Sequence, residues 1–244
     1  MKNKLLLKTK NDIPFIEARI NIHQPTINEI SLIGENNFHV AVRFLTMNKE
    51  EFSQDKSDLE NMSDFDIIMS IVQDKTGIEY KINCLQILTI LFPGYTIKFT
   101  PQKILLLREE DREINKDNFP IFKDILLDMF CLRDMEEKSK YNPKDGRAAK
   151  IAEKLKKGAA ARAKKKGKKI DDNLSLYEYY ISILAVGENK DWNQLLEYTV
   201  PQLTDEFKRF QRKSEFDAYR QAIMAGAQNL EEVRHWMVDN DKIS

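Results

Sequence analysis

The chain predicts an α+β fold that is mostly helical, and three observations lead there. Apolar residues recur at three- and four-residue steps over much of the sequence, which is the stripe that a helix buries. Two regions, near residue 15 and near residue 100, instead carry short β-branched runs around turn residues, as in Thr100-Pro101-Gln102, and predict two small hairpins. No Gly-rich turns alternate with strands and helices, so a doubly wound nucleotide-binding sheet is not expected. The expected layout is an α+β domain over residues 1–140, with two hairpins and about five helices. A basic helix and linker follows over 141–172, then a C-terminal helical bundle over 173–244.

Taken in order, residues 5–8 and 15–22 read as two strands around Asn11-Asp12-Ile13-Pro14. Pro25-Thr26 opens a helix with proline in its first turn. Ile27, Ile30 and Ile33 line one face, and Gly34 ends it. Phe38, Val42 and Leu45 mark a second helix, and the charged residues 48–62 are a loop or short helix. Ser63 caps a helix with Asp66 at its third position, and Gly77 breaks the pattern. Residues 83–91 form a buried helix stopped by Pro93-Gly94, and residues 95–99 and 104–108 read as the second hairpin. Asn118 caps a helix running through Phe122, Ile125, Leu126, Met129 and Phe130.

The C-terminal bundle reads as a helix over 175–186 ended near Gly187 and a short one capped by Asp191. A long helix runs from Pro201 to Phe210, a separate one covers 216–224 with Gly226 as stop, and residues 230–237 make the last turns.

Composition bounds the function more than it names it. The chain has 42% hydrophobic and 32% charged residues and no formal net charge, so whole-chain electrostatics select no partner. No apolar run approaches the roughly 18–20 residues of a membrane span. The basic start carries only Leu5, Leu6 and Leu7 in a row, too short for a secretory core, and the expected compartment is a cytoplasm. Cys84 and Cys131, with no CxxC, read as small core residues. His23, His39 and His235 are too far apart for a zinc site. The neutral total hides a division: residues 144–169 are strongly basic, and the stretches on either side are acidic.

That basic stretch, with Arg162, Lys164, Lys165 and Lys166, is the first candidate site. It reads as a solvated linker or a segment docking on the acidic parts of its own chain, as a contact for a protein partner, or as a nucleic-acid contact. No aromatic residue interrupts 142–169, so it offers no stacking platform for single strands, and it lacks the apolar face of a membrane-surface helix. The run from Gly146 to Lys157 does not match a phosphate-binding loop. The carboxylates Glu109-Glu110-Asp111 and Asp171-Asp172 read as solvated. Ser31, Ser63 and Ser70 lack a nucleophile-elbow context, and His23 reads as a turn-bonding residue. No catalytic, cofactor-binding or metal-binding residue is expected. The aromatic stripe of the bundle is mainly core, with Tyr177, Trp192 and Trp236, near helix ends, as candidates for a partner surface.

Two stretches carry a resemblance. One is residues 13–45 with Gln24-Pro25-Thr26, Glu29-Ile30 and Ile33-Gly34-Glu35. The other is the pattern Tyr180, Val186-Gly187, Trp192, Tyr198, Phe207, Phe210, Asp217, Ala225-Gly226-Ala227 and Trp236-Met237, joined by YNPKDGRAAKIAEKLKKG. Together they resemble the tail or baseplate-hub assembly chaperones of tailed bacteriophages. The resemblance implies a non-enzymatic protein, without cofactor, that binds tape-measure, tube or hub subunits in the host cytoplasm while the tail is built. A structural component of the virion and a nucleic-acid-binding protein are the other readings, and self-association is a further expectation.

Overall fold

A computed structural model describes residues 4–52, 62–74, 77–133, 175–228, 233 and 235–237. The basic segment, with Arg162, Lys164, Lys165 and Lys166, lies outside the described residues, as do Asp171 and Asp172. The architecture is α+β and mostly helical, with two small antiparallel sheets.

The chain begins with a helical turn, α1 (Lys4–Leu7), where a strand was expected. Strand β1 (Ile13–Phe15) pairs with β2 (Ile20–Ile22) through a 3-10 turn over Ile16–Ala18, closed by Arg19 at φ 51°. The hairpin therefore turns within the segment 15–22 that had been read as one strand. Gln24 supplies the reason. It is 1% exposed, and its side-chain amide nitrogen lies 3.0, 3.0 and 2.6 Å from the carbonyl oxygens of Leu6, Thr9 and Asn11. The two N–H groups of this amide give these carbonyls a side-chain partner where a paired strand would have supplied backbone ones.

Helix α2 (Ile27–Ile33) starts with a reciprocal cap. The Thr26 hydroxyl accepts from the Glu29 N–H, and the Glu29 carboxylate accepts from the Thr26 N–H at 2.8 Å. Pro25 thus stands before the cap, outside the first turn. His23 braces the same carboxylate from Nε2 at 3.2 Å, while its Nδ1 faces Asp12 at 3.1 Å. Burial pushes the Glu29 carboxyl upward. The hydrogen bonds from Thr26 and the contact with His23 outweigh it and hold the group below the ordinary glutamate range.

Gly34, at φ 84°, turns the chain into α3 (Glu35–Thr46). After α4 (Lys49–Phe52), Ser63 and Asp66 form a second reciprocal cap on α5 (Asp64–Gln73). Gly77 follows at a close approach, because a Cβ there would sit 1.9 Å from the Ile71 carbonyl oxygen. Helix α6 (Ile78–Leu91) packs along α3. Strands β3 (Thr96–Phe99), β4 (Lys103–Leu107) and β5 (Arg112–Asn115) make a meander rather than the expected hairpin. The third strand escaped the sequence reading because Arg112-Glu113-Ile114-Asn115 holds one apolar residue, and Ile114 is fully buried. Helix α7 (Phe119–Met129) follows. Asn118 stands at its cap position but uses its side chain on the preceding turn, accepting from the Asn115 N–H and donating to the Glu113 carbonyl.

The C-terminal part holds α8 (Leu176–Glu188), α9 (Trp192–Leu196) and α10 (Val200–Met224). Gly187 lies inside α8 and does not end it. Asn189 ends the helix at φ 53°, while Gly187 makes room for Phe210, whose ring would lie 2.3 Å from an added Cβ. The two helices expected over 201–210 and 216–224 are one continuous helix of 25 residues. No glycine or proline interrupts residues 202–224, so nothing in the backbone stops it.

These helices share the core of the first part. Phe38 takes Phe130 at 5.0 Å on one side and Tyr177 at 6.3 Å on another. Ile27 N–H donates to the Tyr198 carbonyl at 2.8 Å beside an antiparallel bridge between Thr26 and Thr199. Gln202 donates to the Lys8 carbonyl, and Leu176 N–H to the Glu35 carboxylate. Ile181, Leu184, Leu195, Leu203 and Phe207 are buried in one continuous cluster with Phe38, Phe92 and Phe122. Each such side chain contributes roughly 1.5–3 kcal/mol.

Among the described residues one charge is buried. Lys123 of α7 is 7% exposed, and its ammonium donates to the Met47 carbonyl, Asn48 Oδ1 and Asp64 Oδ2 at 2.8, 3.0 and 2.7 Å. It ties α7 to the α3–α4 turn and to the start of α5.

Three outcomes follow from this packing. Lys123→Met leaves three acceptors without their donor and should lower unfolding stability by about 3–5 kcal/mol in urea titration; a loss under about 1 kcal/mol would show the triad to be dispensable. Gly77→Ala must move the Ile71 backbone and should cost about 3 kcal/mol in the same assay. Because folding depresses the Glu29 carboxyl, its contribution is present above the unfolded value of about 4.3 and is lost as pH falls through the folded one. Glu29→Gln keeps a capping side chain without the ionisation. Its melting temperature should therefore fall less steeply than that of the unsubstituted chain between pH 6 and 3, and identical slopes would remove Glu29 as a source.

Candidate partner-binding surface

The bundle places its aromatic residues in three different settings. Tyr177, at the start of α8, is 5% exposed and lies against His39 at 5.4 Å and Phe38. Burial first, then the nearby Glu35 carboxylate, push its phenol far above the ordinary tyrosine range. Tyr177 is therefore a core ring, out of reach of a surface partner. Trp192 opens α9 behind the Asp191 cap and is 45% exposed. Trp236 is half-buried, stacked beside His235, whose ring meets Phe216 of α10 edge-on at 4.6 Å.

Helix α10 joins these settings. Its first two turns are core, with Val200, Leu203 and Phe207 buried and Tyr180 stacked on Phe207 at 4.0 Å. Asp205 pairs with Lys8 and with Arg209, and Lys190 holds Glu206 and Glu188 where α8 ends. Partial burial pushes the Lys190 ammonium downward. The two carboxylates outweigh it and hold the group above the ordinary lysine range.

Beyond Phe210 the helix leaves the core. Ile223 is 49% and Met224 74% exposed, while Phe216 and Tyr219 are half-buried. At about 100° per residue, Phe216, Tyr219 and Ile223 centre on a line about 170° round the axis from Val200, Leu203, Phe207 and Phe210. The apolar stripe changes to the opposite face within one straight helix. This change explains why two helices were expected: each half has its own periodicity, and the junction looks like a break. The same outward face carries basic side chains, with Arg212 on its centre line and Lys208, Arg209 and Arg220 flanking it.

The other candidate groups are engaged within the fold. Ser63 is a cap, and the Ser31 and Ser70 hydroxyls donate to carbonyls of their own helices. Glu109, Glu110 and Asp111 are exposed at the turn between β4 and β5, with Glu110 paired to Arg112. In a cleft of about 550 Å³ beside α5 and α7, Lys123 pairs with Asp64, Lys116 with Asp66 and Arg133 with Asp124. Cys84 is fully buried, which pushes its thiol up to about 12, and Cys131 is half-buried at φ 57°; neither is in a disulfide. Among the described residues no group of three or more His, Cys, Asp or Glu is placed to hold a metal ion, and no helix is long and apolar enough to cross a membrane.

Sequence reasoning singled out Trp192 and Trp236 but missed the outward stripe. The signal was present as the phase shift between Leu203-Phe207-Phe210 and Phe216-Tyr219-Ile223.

No curated protein and no solved structure matches the chain. A family model described as the YomV second domain, from a phage-derived (Bacillus prophage) family, matches residues 157–241. The match begins in the basic segment and takes in α8, α9 and α10 whole. Over that region the chain is similar to a phage-derived domain, which points to a phage origin for the protein.

Proposed function

We propose that this is a non-enzymatic phage assembly protein that binds tail subunits (tape measure, tube or hub) while the tail is built in the host cytoplasm. The observation that carries the reading is the second apolar stripe of α10. A helix seated in the core for two turns presents a separate apolar face with a basic rim away from that core. Large exposed apolar side chains grouped on one element are what partner surfaces use. Trp192 of α9 and Val186 of α8 are further exposed apolar side chains of this part. The engaged state of the serines and of the cleft charges favours binding over catalysis. The phage-derived family match over this region, together with the resemblance to tail assembly chaperones, supplies the setting.

The test is capture of the tagged full chain from phage-producing cells, with bound proteins identified by mass spectrometry. A tape-measure, tube or hub subunit should be recovered, and Phe216→Asp with Ile223→Asp should lower its recovery about 30-fold, the effect of losing a central contact worth about 2 kcal/mol. Recovery of no tail component, or equal recovery with the substituted chain, would overturn the proposal. A quantitative inventory of purified particles separates the variants of the reading: absence from particles marks a chaperone that leaves, and a fixed copy number marks a structural component.

A further inference from the structure

The outward face of α10 has the spacing of a helix-binding seam. Phe216, Tyr219 and Ile223 recur at steps of three and four, the alternation by which one helix fits its side chains between those of another. An extended strand presents a side chain to one face at every second residue and would match only part of such a ridge. The exposed His235 ring, edge-on to Phe216, adds aromatic surface at that end.

Charge narrows the occupant. Arg212 stands one heptad before Tyr219, within the seam itself, and is half-buried. Lys213 and Arg220, one heptad apart, lie along one flank, about 65–90° round the axis from the stripe, and both are exposed. The other flank is mixed, with Lys208, Glu215 and Ala222. Arg212, Lys213 and Arg220 make no ion pair among the described residues. Charges beside a helical seam select the partner that brings the opposite sign, and a cation within the seam selects it most strongly because it loses its water on docking.

A second copy does not meet this need. Two α10 helices running antiparallel would set Lys213 and Arg220 against the same flank of the other copy. Running parallel, they would set Arg212 against Arg212. Either arrangement opposes like charges, which works against self-pairing.

We infer that the outward stripe of α10 takes one amphipathic helix of another protein, with large apolar residues at steps of three and four and carboxylates beside them. One carboxylate meets Arg212, and others line the Lys213–Arg220 flank. This statement rests on the proposed function and gives the chemistry of the partner at that same surface.

The experiment uses the full chain and labelled peptides of about 21 residues, three heptads, followed by fluorescence anisotropy. One peptide has leucine at the two seam positions of each heptad and glutamate beside them. A second has lysine in place of glutamate, and a third has the composition of the first in scrambled order. The glutamate peptide should bind roughly tenfold more tightly than either of the others. Lys213→Glu with Arg220→Glu should weaken it about tenfold and strengthen the lysine peptide by a similar factor, with helical circular dichroism unchanged. Ile223→Asp, at an exposed position in the last turns of α10, should weaken the glutamate peptide as well.

No binding of the glutamate peptide, equal binding of the lysine or scrambled peptide, or affinities unmoved by the substitutions would overturn the inference. A chain that sediments as a dimer, and as a monomer with Ile223→Asp, would overturn it too, by making a second copy the occupant. These readouts need no tail subunit. Selective binding of the glutamate peptide without capture of a tail component supports the inference and counts against the proposed function alone; capture of a tail component that is unmoved by Lys213→Glu with Arg220→Glu counts against the inference alone.

Discussion

The seating of the turn before α10 against the turn before α2 is the constraint on which the rest depends. Ile27 N–H donates to Tyr198 carbonyl at 2.8 Å, and Thr26 bridges Thr199. Both are positions where a helix begins and backbone groups lack helical partners, so each turn satisfies the other. The seating fixes Val200, Leu203 and Phe207 in the core and Phe38 between Phe130 and Tyr177. Residues at the two ends of the basic segment thereby meet round one ring. The parts of the chain on either side of that segment touch directly.

From the same seating follows the geometry of the surface. Once the first turns of α10 are fixed, a straight helix carries its remaining turns outward along a set line. Within about 20 residues a helix spans about 30 Å, enough for its end to leave a small core. The outward stripe is then presented rigidly, which limits the conformational entropy lost on binding. Opposite phases let a single helix do two jobs: Leu203 and Phe207 anchor it, and Phe216 and Ile223 remain for another segment.

Polar groups buried in the first part serve the same end. Gln24 holds the carbonyls of Leu6, Thr9 and Asn11, and Lys123 joins three elements through three acceptors. A buried polar group is costly without partners, so the contacts of the Gln24 amide nitrogen and the Lys123 ammonium favour the arrangement that supplies them.

By itself the sequence determined the mostly helical α+β class, the capped starts at Thr26, Ser63 and Asp191, and the turn at Gly34. These are local: a cap or a positive-φ glycine is written in three or four neighbouring residues. It also marked Trp192 and Trp236 as candidates for a surface. Only the tertiary structure decided the rest. Lys4–Leu7 forms a helical turn, and Gln24 reaches back to the Leu6 carbonyl. Arg112–Asn115 pairs because β4 lies beside it. Gly187 stays within its helix because Phe210 needs the space, and Tyr177 is buried because Phe38 and His39 close over it. Each of these depends on a partner distant in the chain, so no local pattern records it. The outward stripe of α10 stands between the two. Its residues show the phase shift, but only the packing of Leu203 and Phe207 decides which face is core and which is outward.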